Sequence, residues 1–402
     1  MKRKWAVLGI FIVTLILTQI TSFPAHSAEK GPIKVGIMLG LVGPHAMTAQ
    51  PNLQGMTLAF EKRGYSVAGR KIEVVTEDTK GEPDVALMKV QKLVEKDKVD
   101  ILLGPTSSAE AYAIKEYVRS AKIPLIMACP AAAGITRDKM SPYYFRVLYG
   151  SAMYYGGKWA VEKAGCSKAI FAGVDYAYGR ETGEGFMKGI KAGGGTPVGE
   201  IYAALGTKDF GPYIMKIAKL AEETGADCLG WSFSGTDAIA FVTQLQEYGL
   251  NKKFKVTMNY AGTLIGKILD GMGKAATGHY EISTYYPNEE NAANREFVRL
   301  VDKKSGPGSM EGMAAPGYVA ADIACLALEK VKGNVEDKAG LLNAIKDTKY
   351  DSIYGPVEFD PRVQNLTMNY KILRIEMANG KPHYVLLDQI PKTVDWCWIG
   401  KK

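Results

Sequence analysis

The feature that most constrains this chain is a repeated alternation of short apolar runs with amphipathic stretches. Residues 33–39 are nearly all apolar, as a strand buried on both faces should be. Residues 52–62 read as a helix, with Leu53, Met56, Leu58, Ala59 and Phe60 apolar. Residues 71–78 alternate as a strand. Pro83 can open the next helix, whose apolar face is Ala86, Leu87, Val90, Leu93 and Val94. A strand follows at 99–104. Ser107 and Glu110 then form an S-x-x-E capping box for another helix, and 123–128 is a further strand. This β-α-β-α-β order predicts an α/β fold with a parallel sheet covered by helices on both faces.

The pattern then restarts. Strands are predicted at 169–175, 198–204, 227–233 and 255–259, with helices at 181–192, 210–224 and 236–248 between them. Further helices are predicted at 290–304, 317–332 and 338–348. Near the end, 368–377 and 383–387 flank Ala378-Asn379-Gly380-Lys381, and Asn-Gly between strands signals a hairpin. Nine or more strands exceed one compact core, and 402 residues at roughly 150 per domain also favour division. No Ser/Pro-rich linker separates the halves. The expectation is two doubly wound parallel-sheet lobes joined by several short crossings.

The amino terminus has the layout of a secretory signal peptide. Lys2, Arg3 and Lys4 precede an apolar run over 5–17, then Pro24 and the small-residue stretch Ala25-His26-Ser27-Ala28. Cleavage after Ser27 or Ala28 suits the small-residue rule. The run is short for a membrane span of about 20 residues. The chain is therefore expected to be exported and soluble, in the periplasm. Losing the three basic residues takes the formal charge from +8 to +5. What remains is dispersed, so no nucleic-acid partner is expected.

Cysteine and histidine limit the chemistry further. The five Cys, at 129, 166, 228, 325 and 397, show no CxxC spacing, so no zinc or thioredoxin-like motif is present. Cys129, Cys228 and Cys325 lie in apolar surroundings and are expected to be buried free thiols. Gly230-Trp231-Ser232-Phe233-Ser234 falls one residue short of G-x-S-x-G, and a nucleophile elbow also needs a triad His. After cleavage only His45, His279 and His383 remain, none in a recognisable catalytic context. There is no phosphate-binding G-x-x-x-x-G-K-[ST] sequence. No metal site, cofactor or enzymatic activity is expected.

What remains is binding. Ligands of open α/β sheets sit beyond the carboxyl ends of the strands. Those ends are predicted at 39–45, 104–108, 128–133, 175–178, 231–236 and 259–262. They are rich in Gly, Ala, Ser and aromatics and poor in charge. That composition suits a small ligand with an apolar body.

Several segments carry a family resemblance. They include Val35-Gly36-Ile37, Gly43-Pro44, Gly69-Arg70-Lys71-Ile72-Glu73, Leu103-Gly104-Pro105-Thr106-Ser107-Ser108 and Pro130-Ala131-Ala132. They continue with Phe145-Arg146, Tyr178-Gly179, Tyr248-Gly249-Leu250 and Tyr354-Gly355-Pro356-Val357-Glu358-Phe359-Asp360. In order and spacing, the chain from about 33 to 360 resembles the periplasmic binding proteins for leucine, isoleucine and valine. The resemblance implies the type I periplasmic binding fold, with two α/β lobes on a three-crossing hinge. The expected division is 1–28 as signal peptide, 31–149 with 286–351 as the first lobe, and 150–285 with 352–402 as the second. It also implies a receptor that closes on a solute and delivers it to an inner-membrane ABC permease, without a cofactor; a monomer is expected.

The resemblance carries over residue by residue. The family's carboxylate-holding Ser falls on Ser108; Ser107 and Ser108 can also serve as helix caps. The family's Pro-Ala-Ala-Thr segment falls on Pro130-Ala131-Ala132-Ala133, so Ala133 replaces a hydroxyl that helps hold an α-ammonium. One cleft Tyr falls on Tyr178 and a second on Phe233, with Trp231 two residues earlier. The ammonium-binding Glu falls on Ala261. The carboxylate end of the site is kept and the ammonium end is lost. Tyr178, Trp231, Phe233 and Tyr260 are expected to enclose a flat or apolar body, with His45 donating to a ring hydroxyl or second carboxylate. The expected ligand is a small aromatic or apolar carboxylate without an α-ammonium. A receptor for leucine, isoleucine, valine or a related amino acid and a stand-alone periplasmic sensor are the alternatives.

Overall fold

The computed structural model describes residues 30–137, 141–148, 151–260 and 264–399. The signal-peptide segment and Ala261 lie outside the described residues. Among the described residues, fifteen strands join in one hydrogen-bonded network that divides into two parallel sets. In the first set the order is Ser66–Val67, Arg70–Asp78, Ile33–Leu39, Ile101–Leu103, Leu125–Met127 and Tyr144–Arg146. In the second it is Tyr280–Ser283, Val256–Tyr260, Cys228–Ser232, Lys168–Val174 and Thr196–Ala203. All neighbours in both sets are parallel except the short strand Ser66–Val67.

The sets are joined by one long strand, Asn365–Ala378. Its start lies beside Tyr144–Arg146 and Gly355–Asp360, and its later part runs antiparallel to Tyr280–Ser283. It then turns at Asn379-Gly380 into Lys381–Thr393. Asn379 and Gly380 have φ of 51° and 79°, the left-handed pair that a two-residue hairpin turn requires. At the junction, the Lys371 side chain is wholly buried. Its ammonium donates to the carbonyls of Thr284 and Tyr354 and pairs with Glu289 at 3.0 Å. Burial lowers its pKa and Glu289 opposes that shift. One cation thus ties the connecting strand to two other segments.

The helices follow the predicted alternation with two differences. The first runs Ala46–Glu61, starting before residue 52 and passing through Pro51. Proline there loses only one bond early in the helix, and its N-terminal half is fixed by packing. It lies against Ala314–Lys330 so closely that Gly55 has no room for a Cβ, which would sit 1.9 Å from the Ala314 carbonyl oxygen. The second difference is omission: Tyr144–Arg146, Tyr280–Ser283 and the helix Ala152–Ala164 had no clear sequence signal. The strands are only three and four residues long, too short to show a period.

One cysteine expectation is overturned. Cys228 is not a free thiol; it is bonded to Cys166, with Cα atoms 5.8 Å apart. Lys168–Val174 and Cys228–Ser232 are adjacent parallel strands in which Ala169 faces Cys228. That register brings Cys166, just upstream, alongside Cys228, a proximity that a separation of 62 residues conceals. Cys129 and Cys325 are buried free thiols.

Candidate functional site

The carboxyl ends of the parallel strands converge on one cleft with about 440 Å³ of empty volume, open solvent included. After Ile33–Leu39 the chain makes a turn at Gly43–His45 and presents His45 and Thr48. After Ile101–Leu103 it presents Thr106 and Ser108, and after Leu125–Met127, Cys129 and Ala131. Tyr176 and Tyr178 follow Lys168–Val174, and Ser234 follows Cys228–Ser232. Leu148 and Met313 complete the wall.

Two hydroxyls are held in a donor-ready state. Thr106 Oγ1 accepts from the Gly40 N–H at 2.9 Å, and Ser108 Oγ accepts from the Ala132 N–H at 3.0 Å. Each oxygen is anchored as an acceptor, so its proton is left to donate into the cleft. The Ala132 segment is fixed in turn, because the buried Arg146 guanidinium donates to the Ala132 carbonyl and, at 2.9 Å, to Asn365 Oδ1. Ser107 is engaged elsewhere. Its Oγ accepts from the Glu110 N–H at 3.2 Å while Glu110 Oε2 accepts from the Ser107 N–H at 2.7 Å. This is the reciprocal capping box read from the sequence.

Among the described residues, four helices begin at the cleft. Ala46–Glu61, Ala177–Ala192 and Gly235–Glu247 are preceded by His45, Tyr176 and Ser234, none of which makes a side-chain cap bond. Ser108–Ala121 opens at Ser108 itself. Helix amino ends carry free N–H groups and partial positive charge, which favours an anion between them.

Charge is otherwise absent from the walls. None of the described lining residues is Lys, Arg, Asp or Glu. Burial lowers the pKa of His45, with Asp237 opposing, so the imidazole is neutral at pH 7. Burial raises the pKa of Tyr176, Tyr178 and Cys129, so each keeps its proton. Glu110 is buried and is not among the wall residues; the Thr79 hydroxyl and the Ser107 N–H donate to it. A carboxylate would meet hydroxyl and amide donors here. An α-ammonium would find no carboxylate among the described wall residues, and a buried unpaired charge costs several kcal/mol, roughly.

The cleft therefore brings together four of the residues singled out from sequence: His45, Ser108, Ala131 and Tyr178. It does not bring Ser107, Ala133, Trp231, Phe233 or Tyr260 to the wall. Trp231, Phe233 and Tyr260 are buried in the core. Trp231 and Phe233 share a face and pack on Phe241, with ring centroids 5.6 and 4.7 Å from it. Thr106, Cys129, Tyr176 and Ser234 lie in strand-end loops marked from sequence but were not singled out there. Leu148 and Met313 carried no sequence signal, since one follows an unread strand and the other precedes a helix far along the chain.

Two lobes of parallel sheet around an uncharged cleft at the strand ends define a type I periplasmic binding protein. A family model described as periplasmic binding protein matches residues 32–381, and the chain belongs to that family. Within it, this is an ABC transporter solute-binding protein of the Leu/Ile/Val-binding type. It is 24% identical over 378 residues to the Leu/Ile/Val-binding protein homolog 6 of Brucella melitensis, covering 92% of this chain and 95% of that one. An ABC transporter substrate-binding protein from Sphaerobacter thermophilus superposes with a TM-score of 0.84 at 31% identity, over 90% of this chain and 99% of that one. A solute-binding protein of an ABC transporter from Rhodopseudomonas palustris, solved with 3,4-dihydroxybenzoic acid, superposes with a TM-score of 0.83 at 28% identity. That match covers 91% of this chain and 99% of the other.

Proposed function

We propose that this protein is the periplasmic receptor of an ABC importer for a small aromatic carboxylate without an α-ammonium. The observation that carries this reading is the wall of the cleft. It offers two anchored hydroxyl donors and several helix amino ends, and no carboxylate among its described residues. The carboxylate sits against Ser108 and Thr106. The ring lies among Ala131, Leu148, Tyr178 and Met313, and His45 reads a substituent at the far end. The dihydroxybenzoic acid bound by the Rhodopseudomonas relative supports this ligand class.

The receptor works as a monomer, is exported by residues 1–28 and performs no chemistry on its ligand. Its lobes are 31–149 with 286–351, and 150–285 with 352–402. They close about the hinge because the ligand bridges Ser108 and Ala131 to Tyr178, contacts the open form lacks. An inner-membrane permease then receives the closed form.

Calorimetric titration with benzoate, 4-hydroxybenzoate, 3,4-dihydroxybenzoate, leucine and valine tests the ligand class. Micromolar binding of an aromatic acid with no response to leucine or valine is expected. The reverse result would sink the aromatic reading and favour branched-chain amino-acid binding, which the Brucella relative's name supports.

A further inference from the structure

We infer that Glu181 is the latch that holds the two lobes closed over the ligand. The inference rests on the closure mechanism proposed above and adds a residue outside the cleft wall. Glu181 lies three residues beyond Tyr178 on the helix Ala177–Ala192 and is half-buried. Its carboxylate reaches across to elements that follow strands of the first set. Oε2 accepts from the Gly134 N–H at 2.6 Å and Oε1 accepts from the Tyr112 hydroxyl at 2.8 Å.

Both partners adjoin binding groups. Tyr112 stands one turn along the helix from Ser108, and Gly134 directly follows the Ala131–Ala133 segment. One carboxylate therefore joins the backs of the three pieces that would grip the ligand: the Ser108 helix, the Ala131 segment and the Tyr178 helix. Gly134 leaves room for this approach. A Cβ there would lie 2.6 Å from the Tyr112 hydroxyl and 3.3 Å from Glu181 Oε1.

The bond is also suited to release. Tyr112 is 36% exposed, so water replaces the lost partners when the lobes part. Such a contact biases the equilibrium between open and closed forms without locking it. Glu181 is a positioning residue, since it is not among the residues lining the cleft.

The experiment measures ligand dissociation by stopped flow for wild type, Glu181→Ala, Glu181→Gln, Tyr112→Phe and the Glu181→Ala/Tyr112→Phe double variant. The probes are 3,4-dihydroxybenzoate and leucine, and thermal unfolding of the ligand-free proteins is followed alongside. Glu181→Ala is expected to speed dissociation about five- to tenfold. Glu181→Gln, whose amide carbonyl still accepts from Gly134, is expected to recover part of that loss. The double variant should lose less than the product of the single losses, while ligand-free unfolding is unchanged. Small-angle scattering separates the two levels of the argument. A wild type that does not compact with either probe overturns closure and the latch with it. A wild type that compacts, while Glu181→Ala releases the probe at the wild-type rate, overturns the latch alone.

Discussion

Replacing Ser108 by Ala removes one oxygen with two duties. As an acceptor it takes the Ala132 N–H at 3.0 Å in a buried setting. Left unpaired, that N–H costs about 1–3 kcal/mol of stability in the ligand-free protein. As a donor, the hydroxyl faces the proposed carboxylate at the start of the helix Ser108–Ala121. A hydrogen bond to a charged group contributes about 1.5–3 kcal/mol, so the dissociation constant should rise roughly 10- to 150-fold. Urea unfolding without ligand isolates the first effect, and calorimetric titration of the folded variant isolates the second. Thr106→Val, which removes the other anchored hydroxyl, should weaken binding similarly. The two losses should not add, because both hydroxyls serve one anion. A Ser108→Ala protein that shows the stability loss but binds within about twofold of wild type would mean the hydroxyl serves the fold alone.

Three further outcomes follow from the core. Burial holds the His279 imidazole at about 4, well below its usual 6.5, so the folded protein keeps it neutral. The unfolded chain takes up that proton first, so stability should fall between pH 6.5 and about 4, by at most about 3 kcal/mol; His279→Leu should flatten this part of a urea-unfolding profile. Removing the Cys166–Cys228 bond, whose ends are 62 residues apart, should cost about 4 kcal/mol, read as a lower urea midpoint in the double Ser variant. Equal midpoints with and without reductant would show that the bond does not form. Gly55→Ala places a Cβ 1.9 Å from the Ala314 carbonyl oxygen, which neither helix can avoid without moving. A loss of about 3 kcal/mol or more, or no soluble protein, is expected, whereas Gly31→Ala meets nothing and should be neutral.

The alternation of apolar runs and amphipathic stretches was enough to read most elements. Residues 33–39, 71–78 and 169–175 correspond closely to Ile33–Leu39, Arg70–Asp78 and Lys168–Val174. Ile33–Leu39 and Lys168–Val174 are buried on both faces and so nearly all apolar, while the half-exposed Arg70–Asp78 shows as an alternation; both signals are local. The capping box at Ser107 and Glu110 and the Asn379-Gly380 turn were legible for the same reason, since their partners lie within a few residues. The site was less legible. His45, Ser108, Ala131 and Tyr178 line the cleft, but Trp231 and Phe233, candidate walls by sequence, pack instead on Phe241. Aromatic residues at a strand end serve a cleft or a core equally well, and only the helix covering that face decides which.

By itself, then, the sequence determined the class of architecture, the strand-end loops that could form a site, and the scarcity of charge and His in them. These are local properties, set by which side chains can be buried and which turns the backbone can make. The tertiary structure decided what depends on segments far apart in the chain. It brought Cys166 beside Cys228, set Lys371 among Thr284, Tyr354 and Glu289, and turned the Thr106 and Ser108 hydroxyls toward the cleft by bonding them to Gly40 and Ala132. It also placed Glu181 against Gly134 and Tyr112. Such contacts are fixed by sheet register and helix packing, which are summed over the whole core and leave no mark at any single position.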